Sequence, residues 1–235
     1  MAKVDIKAVV PYKKPDGGKS MAKKRTARPT TGEPAEAKAD WKVENVVATV
    51  TLGLEPGEKI DLNTIARKFS DCEYNPERFP GLVMRIDDPK ATILVFSTGK
   101  MVITGLREAA EAGAVVAKVI RNMKQAKVAI GSEPEITIQN LVASGDLHVA
   151  IDLNEAAIAM ENAMYEPEVF PGLIYRMADP KAVFLVFSTG RIVCTGAKTK
   201  EMVGEAIVKL VEVVKELGLG FNAGQEGDER EEDLT

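Results

Sequence analysis

The chain has 235 residues, 45% apolar and 28% charged, with a formal net charge of −4; it can fill a sizeable core, which excludes a wholly disordered protein. No window approaches the roughly 18 to 20 uninterrupted apolar residues of a membrane span, and no apolar signal region follows the Lys-rich start, so a soluble, intracellular protein without a membrane partner is expected. Two cysteines, Cys72 and Cys194, form neither a disulfide framework nor a zinc pattern, and a single histidine, His148, leaves little room for triads or histidine metal sites; all three are assigned to structure.

Residues 1–40 carry ten Lys/Arg against five Asp/Glu among Pro, Gly and Thr, with no sustained period, and read as a flexible basic arm. Met21, which opens MAKKRT, is a second candidate start. Residues 218–235 carry one basic and six acidic side chains and read as a disordered acidic tail. Between the tails, 41–131 has 13 basic against 11 acidic residues, and 132–217 has 7 against 13. An anionic partner therefore suits the first half better, and the overall charge does not exclude DNA, because basic and acidic groups can occupy different faces.

The middle of the chain is an internal repeat. Asp61–Glu108 aligns with Asp152–Thr199 at a constant offset of 91, with 25 identities in 48 positions, and ENVVATVTL pairs with QNLVASGDL at an offset of 95. The period is too long for a solenoid, so two pseudo-symmetric repeats, 41–131 and 132–217, are expected. In each, an alternating strand such as Asn45–Leu52 comes first, and a short helix opens at Asp61 or Asp152, an N-cap type of residue. Three strands are predicted near 82–86, 91–98 and 100–104, separated by an Asp-Pro-Lys turn (Asp88-Pro89-Lys90; Asp179-Pro180-Lys181) and by Thr-Gly (Thr98-Gly99; Thr189-Gly190). Links this short imply antiparallel pairing. A long helix, 107–124 or 200–217, closes each half, with apolar residues at helical spacing. The fold class is α+β, with helices on one face of an antiparallel sheet.

The other face of that sheet should be polar, yet it is not. Leu94, Phe96 and Thr98 share one face and Ile93, Val95 and Ser97 the other; Val102 and Thr104 continue the first, and Leu185, Phe187, Thr189, Val193 and Thr195 repeat it. No element remains to cover this face, which marks it for a partner. At its rim stand two stiff corners, Phe79-Pro80-Gly81 and Phe170-Pro171-Gly172, each Phe lying 17 residues before Phe96 or Phe187. Paired apolar wedges at both ends of an apolar sheet suit partial unstacking of base steps from the minor groove.

NVVATV with QNLVAS, YNPERFPGLVMR with YEPEVFPGLIYR, and VFSTGKMVITG with VFSTGRIVCTG resemble the TATA-box-binding proteins, in their archaeal form with an acidic tail, over residues 41–217. The resemblance implies a curved, saddle-shaped sheet of ten antiparallel strands with four helices on its convex face. It implies that Phe79 with Phe96, and Phe170 with Phe187, wedge the two ends of a DNA site. Asn45, Asn140, Thr104 and Thr195 would donate to base acceptors, since A·T and T·A pairs show only N3 and O2 in the minor groove. Val47, Val142, Val102 and Val193, with Leu94 and Leu185, would contact base edges, the valines crowding the guanine amine. Arg85, Arg176, Lys100, Arg191, Arg107 and Lys198 would hold phosphates, with Arg78, whose counterpart is Val169, a weaker seventh. Glu166 and Glu168 match positions that meet transcription factor B.

Implied partners are double-stranded promoter DNA carrying a TATA box, transcription factor B and the RNA polymerase preinitiation complex, with a second copy of the chain as an alternative cover for the face when DNA is absent. The implied location is an archaeal cytoplasm and nucleoid, or a nucleus in a eukaryote, and the role of initiation factor needs no cofactor. Glu44 stands where many relatives have Gln. Two other readings compete with this one. An enzyme or ligand-binding protein on a duplicated α+β domain would want a G-x-x-x-x-G-K-[ST], G-x-G-x-x-G or H-E-x-x-H motif, which the sequence lacks. A sheet-face RNA binder would want rings at the sheet centre, where this sequence has Val, Asn and Thr.

Overall fold

In a computed structural model, which describes residues 39–221, both halves run through the same series of elements, to which the second adds two short strands, Ala150–Ile151 and Gly220–Phe221. The first comprises β1 (Asp40–Gly53), α1 (Leu62–Lys68), β2 (Cys72–Glu73), β3 (Leu82–Asp87), β4 (Lys90–Val95), β5 (Lys100–Leu106) and α2 (Glu111–Gln125). The second comprises β6 (Ser132–Asp146), β7 (Ala150–Ile151), α3 (Leu153–Ala159), β8 (Ala163–Met164), β9 (Leu173–Met177), β10 (Ala182–Val186), β11 (Arg191–Ala197), α4 (Lys200–Glu216) and β12 (Gly220–Phe221). The short helices begin where a side chain can satisfy their first amides: Asp61 accepts from Asn63 N and Thr64 N, and Asp152 from Asn154 N and Glu155 N.

Ten strands form one curved antiparallel sheet in the order β2-β3-β4-β5-β1-β6-β11-β10-β9-β8. The halves are joined at β1 and β6, which run antiparallel from Asp40↔Asp146 to Gly53↔Ser132. Alternation decides which side each residue faces. Val46, Ala48 and Val50, Ile93 and Val95, and Met101 and Ile103 are buried beneath the helices, together with Val115, Val116, Val119 and Met123 of α2. Leu141, Ala143, Phe184, Ile192 and Cys194 do the same in the second half, under Val203, Ile207, Leu210 and Val214 of α4. Cys72 and Cys194 are buried free thiols, and burial pushes them up to about 11 and about 12 respectively.

Three expectations are corrected. The strand foreseen over 91–98 ends at Val95, because Phe96 N donates to Lys100 O and Gly99 N to Phe96 O in a tight hairpin whose Gly99 has φ +82°. Thr98 and its mate Thr189 therefore lie in turns, not on the sheet face. The helix foreseen from residue 107 starts at Glu111, whose carboxylate accepts from Arg107 N and Glu108 N in a preceding turn; in the other half Thr199 caps α4 directly by accepting from Met202 N. Residues 219–221, foreseen as part of the acidic tail, belong to the fold instead, since Leu219 is buried and β12 pairs with β7. The arm up to residue 38, with Met21, and residues 222–235 lie outside the described residues.

Candidate nucleic-acid interface

The centre of the open face is built by four bulges. Between Val46↔Leu106 and Ala48↔Ile103, the two residues Thr104 and Gly105 of β5 stand opposite the single Val47 of β1; Thr195 and Gly196 stand opposite Val142 in the same way. Across the join, Glu44 and Gln139 are extra residues on β1 and β6. Such bulges sharpen the local twist and re-aim side chains. Here they bring a hydroxyl and an amide onto each asparagine. Asn45 Oδ1 accepts from Gly105 N at 2.7 Å and shares a contact with Thr104 Oγ1, and Asn140 Oδ1 accepts from Gly196 N at 2.8 Å beside Thr195 Oγ1. Gly105 and Gly196 both have φ +95°, a backbone that a side chain strains. With Oδ1 occupied by a backbone donor and one Nδ2 hydrogen directed at the threonine hydroxyl, at 3.2 Å in Asn45 and 2.9 Å in Asn140, each amide keeps its second Nδ2 hydrogen as a free donor.

The two asparagines are also related across the join, Asn45 opposite Val142 and Val47 opposite Asn140. Val102 lies beside Leu94 and Val193 beside Leu185, continuing the apolar rows outward. All four valines and Leu94 are half-buried, whereas Leu185 is 5% exposed. A face of donors set among valine methyls can accept groups that present only acceptors and rejects a protruding amine.

At either end the expected rings do meet. Phe79 and Phe96 pack edge to face at 5.9 Å between centroids, and Phe170 and Phe187 at 6.0 Å. Phe79 and Phe170 hang from turns closed by Asn75 O and Glu166 O. The corner ends in glycine for a steric reason that the sequence alone does not show. A Cβ on Gly81 would come within 2.6 Å of the Phe79 ring and 3.1 Å of Phe96, and one on Gly172 within 2.7 Å of Phe170 and 3.1 Å of Phe187. Both rings therefore lie over a bare Cα. Recurrence of the glycine in both repeats was the available signal.

Lys100 and Arg191 start β5 and β11, Arg107 and Lys198 follow the same strands, and Arg176 and Arg78 are solvent-exposed. Arg85 differs: its guanidinium forms a fork with the Glu73 carboxylate at 3.1 and 3.3 Å. The pair is open to solvent, hence weak and exchangeable. Glu44 accepts from Ser144 Oγ at 2.6 Å and pairs with Lys42; the Ser144 and Lys42 contacts hold its carboxyl below the ordinary range, so it is ionised at neutral pH. Its mate Gln139 donates to Thr49 Oγ1 at 2.8 Å. Glu166 and Glu168 are exposed in the second rim loop, beside Val169, which is 78% exposed. His148 sits apart at the sheet margin, its Nε2 2.9 Å from Asp40 Oδ2. Among the described residues no group of three or more His, Cys, Asp or Glu is placed to hold a metal ion, and no helix is long and apolar enough to cross a membrane.

The family described as "Transcription factor TFIID (or TATA-binding protein, TBP)" matches residues 40–126 and 135–217. The chain is 45% identical over 196 residues to the TATA-box-binding protein of Pyrobaculum aerophilum, covering 83% of this chain and 96% of that protein. To the TATA-box-binding protein of Pyrodictium occultum it is 49% identical over 182 residues, 77% of this chain and 89% of the other. The solved structure of Methanococcus jannaschii TBP superposes with a TM-score of 0.67 at 41% identity, covering 75% of this chain and 99% of that one. Two matched segments, a shared fold and identities of 41% to 49% place this chain in the TATA-box-binding protein family, a family of DNA-binding transcription factors and not of enzymes.

Proposed function

We propose that this protein is a general transcription initiation factor that binds A·T-rich promoter DNA in the minor groove through its open sheet face. In this reading the Phe79–Phe96 and Phe170–Phe187 pairs kink the duplex at the two ends. The bent complex then nucleates assembly with transcription factor B and RNA polymerase. The observation that carries the reading is the matched pair of asparagines whose Oδ1 atoms are occupied by Gly105 N and Gly196 N. A face that offers donors at its centre and methyl groups around them suits base pairs presenting only N3 and O2. Apolar rings at the rim suit insertion between unstacked base steps. Glu166, Glu168 and exposed Val169 offer a mixed acidic and apolar rim for transcription factor B. Without DNA, the same apolar face is the surface on which a second copy would pair.

Bending and affinity measured together test this. An end-labelled duplex with a TATA-like centre is compared, by resonance energy transfer across a salt series, with the same duplex carrying a G·C centre. Tight, A·T-selective binding coupled to a bend is expected, and Phe170→Ala should weaken both. Unselective binding without a bend would overturn the reading, and a variant that bends and binds like the parent would remove Phe170 from the wedge.

A further inference from the structure

Asp40, Asp146 and Arg191 stand side by side at one margin of the open face, Asp40 opposite Asp146 across the join and Asp146 opposite Arg191 on the next strand. Both acids turn to His148. Its Nε2 lies 2.9 Å from Asp40 Oδ2, its backbone N–H donates to Asp146 Oδ1 at 2.8 Å, and its Nδ1 lies 3.8 Å from the same oxygen. Arg191 is thereby left, among the described residues, as an exposed cation with no ion pair.

The end of the described chain arrives at the same place. Leu147 N donates to Gly190 O and Ile151 N to Ser188 O, each at 2.9 Å, so β7 lies along the turn that delivers Arg191. Val149 O packs against Gly190 where a Cβ would not fit. β12 pairs with β7 antiparallel, Gly220 opposite Ile151 and Phe221 opposite Ala150. The chain therefore leaves Phe221 in the direction of Val149 and His148, toward Arg191, with two strand spacings, about 10 Å, between its exit and the turn. Fourteen residues follow, 222–235, with six acidic side chains and one arginine. At about 3.5 Å per residue they can span up to about 50 Å. The first repeat has no counterpart: residues 126–131, which join α2 to β6, carry no acid, so Lys100, the mate of Arg191, has no such segment beside it.

We propose that residues 222–235 fold back onto this margin and hold Arg191 in the place of a DNA phosphate, so that the acidic tail is a built-in competitor for DNA at one end of the saddle. Carboxylate and phosphate present the same paired oxygens to a guanidinium. One exposed ion pair is weak and screened by salt. Six carboxylates on a short tether, however, face Arg191 at an effective concentration in the millimolar range. The contact is thus strong enough to occupy a free cation and weak enough for a duplex to displace. Its cost falls on the second half alone. The competitor role rests on the minor-groove reading above, whereas the placement of the tail does not.

The test uses the full chain. Trp41, the sole tryptophan, stands opposite Gly145, and Gly145 opposite Ile192, the residue after Arg191, so its fluorescence reports on this margin. Cys72 and Cys194 are buried, so an aminonaphthalene acceptor attached to T235C labels the tail end alone. Energy transfer from Trp41 is measured without DNA and compared with that in a chain also carrying E226Q, D228N, E229Q, E231Q, E232Q and D233N, which keeps the length of the tail and removes its negative charge. The acidic tail should transfer more at low salt, and lose the excess at high salt, in R191A and on addition of A·T duplex. The neutral-tail chain should bind that duplex about 3- to 10-fold tighter at low salt, with a salt slope steeper by up to about 0.9, the value of one phosphate contact set free. Equal transfer from the two tails at low salt, or an excess that survives R191A, would overturn the proposal. So would an excess that grows with protein concentration, the mark of a tail reaching a second copy. Loss of A·T selectivity in both chains would defeat the minor-groove reading and the competitor role with it, while a transfer excess in the free protein would still place the tail at Arg191.

Discussion

Asn45 illustrates how much of a binding residue is written locally and how much is not. Its identity and its partnership with Asn140 are visible in the repeat, and so is the presence of Thr104 and Thr195. The orientation of its amide is invisible there, because it is set by the N–H of a glycine 60 residues away that a bulge swings toward it. Asn45→Asp separates folding from function. An aspartate oxygen can still accept from Gly105 N and from the Thr104 hydroxyl, so the fold should survive. The two Nδ2 donors are lost and a negative charge faces base acceptors, so affinity for A·T duplex should fall by about 5- to 150-fold, the range for a buried polar group left unmatched. Anisotropy titration alongside a thermal melt checks this; a large loss of melting temperature with the affinity would mean that the amide is chiefly structural. Glu73 taught the opposite lesson at the same scale: no pattern in the sequence announces that Arg85 spends its guanidinium on a carboxylate twelve residues away.

Elements were legible where one side chain decides a boundary. Asp61 and Asp152 stand immediately before apolar residues at helical spacing, and both cap as expected. Strand ends were less legible, since Phe96, Ser97 and Thr98 favour strands by composition and only the hairpin hydrogen bonds of Phe96 and Gly99 turn the chain at Val95. The two-residue strands and the four bulges carry no periodic signal at all. The capping reading yields a test with a definite pH dependence. Hydrogen bonds from the Thr64 hydroxyl and from the Thr64 and Asn63 amides lower the carboxyl of Asp61 below its ordinary value of 3.8. A group lowered on folding contributes stability above its unfolded pKa and loses it as pH falls through the folded one. Asp61→Ala should therefore lower the melting temperature by about 2–4 °C at neutral pH. The gap between parent and variant should close as the pH drops below 3.8. A gap that persists unchanged in acid would show that the cap acts through something other than its ionised carboxylate.

For the whole molecule, the repeat announced two-fold pseudo-symmetry, and the β1–β6 join turns it into one continuous sheet on which each basic residue proposed to meet phosphate, except Arg78, has a basic mate. The symmetry is broken in charge. The residue matching Glu73 is Met164, so Arg176 has no carboxylate where Arg85 has one. A basic side chain that neutralises a phosphate releases a condensed counterion, and each such contact steepens the fall of log K with log salt by about 0.9 on double-stranded DNA. Arg176→Ala, like Lys100→Ala, should flatten the slope by about that amount. Arg85 must first leave Glu73, and the pair it gives up is solvent-exposed and weak, so the ions that gather at the freed carboxylate offset only part of the release at the phosphate. Arg85→Ala should thus flatten the slope by less than Arg176→Ala does. Glu73→Ala should steepen it slightly, because Arg85 then arrives unencumbered. A series of titrations between low and moderate salt on one A·T duplex separates the four variants. Equal flattening by Arg85→Ala and Arg176→Ala would mean that the Glu73 pair does not persist in the free protein, and that the two ends of the saddle grip DNA alike.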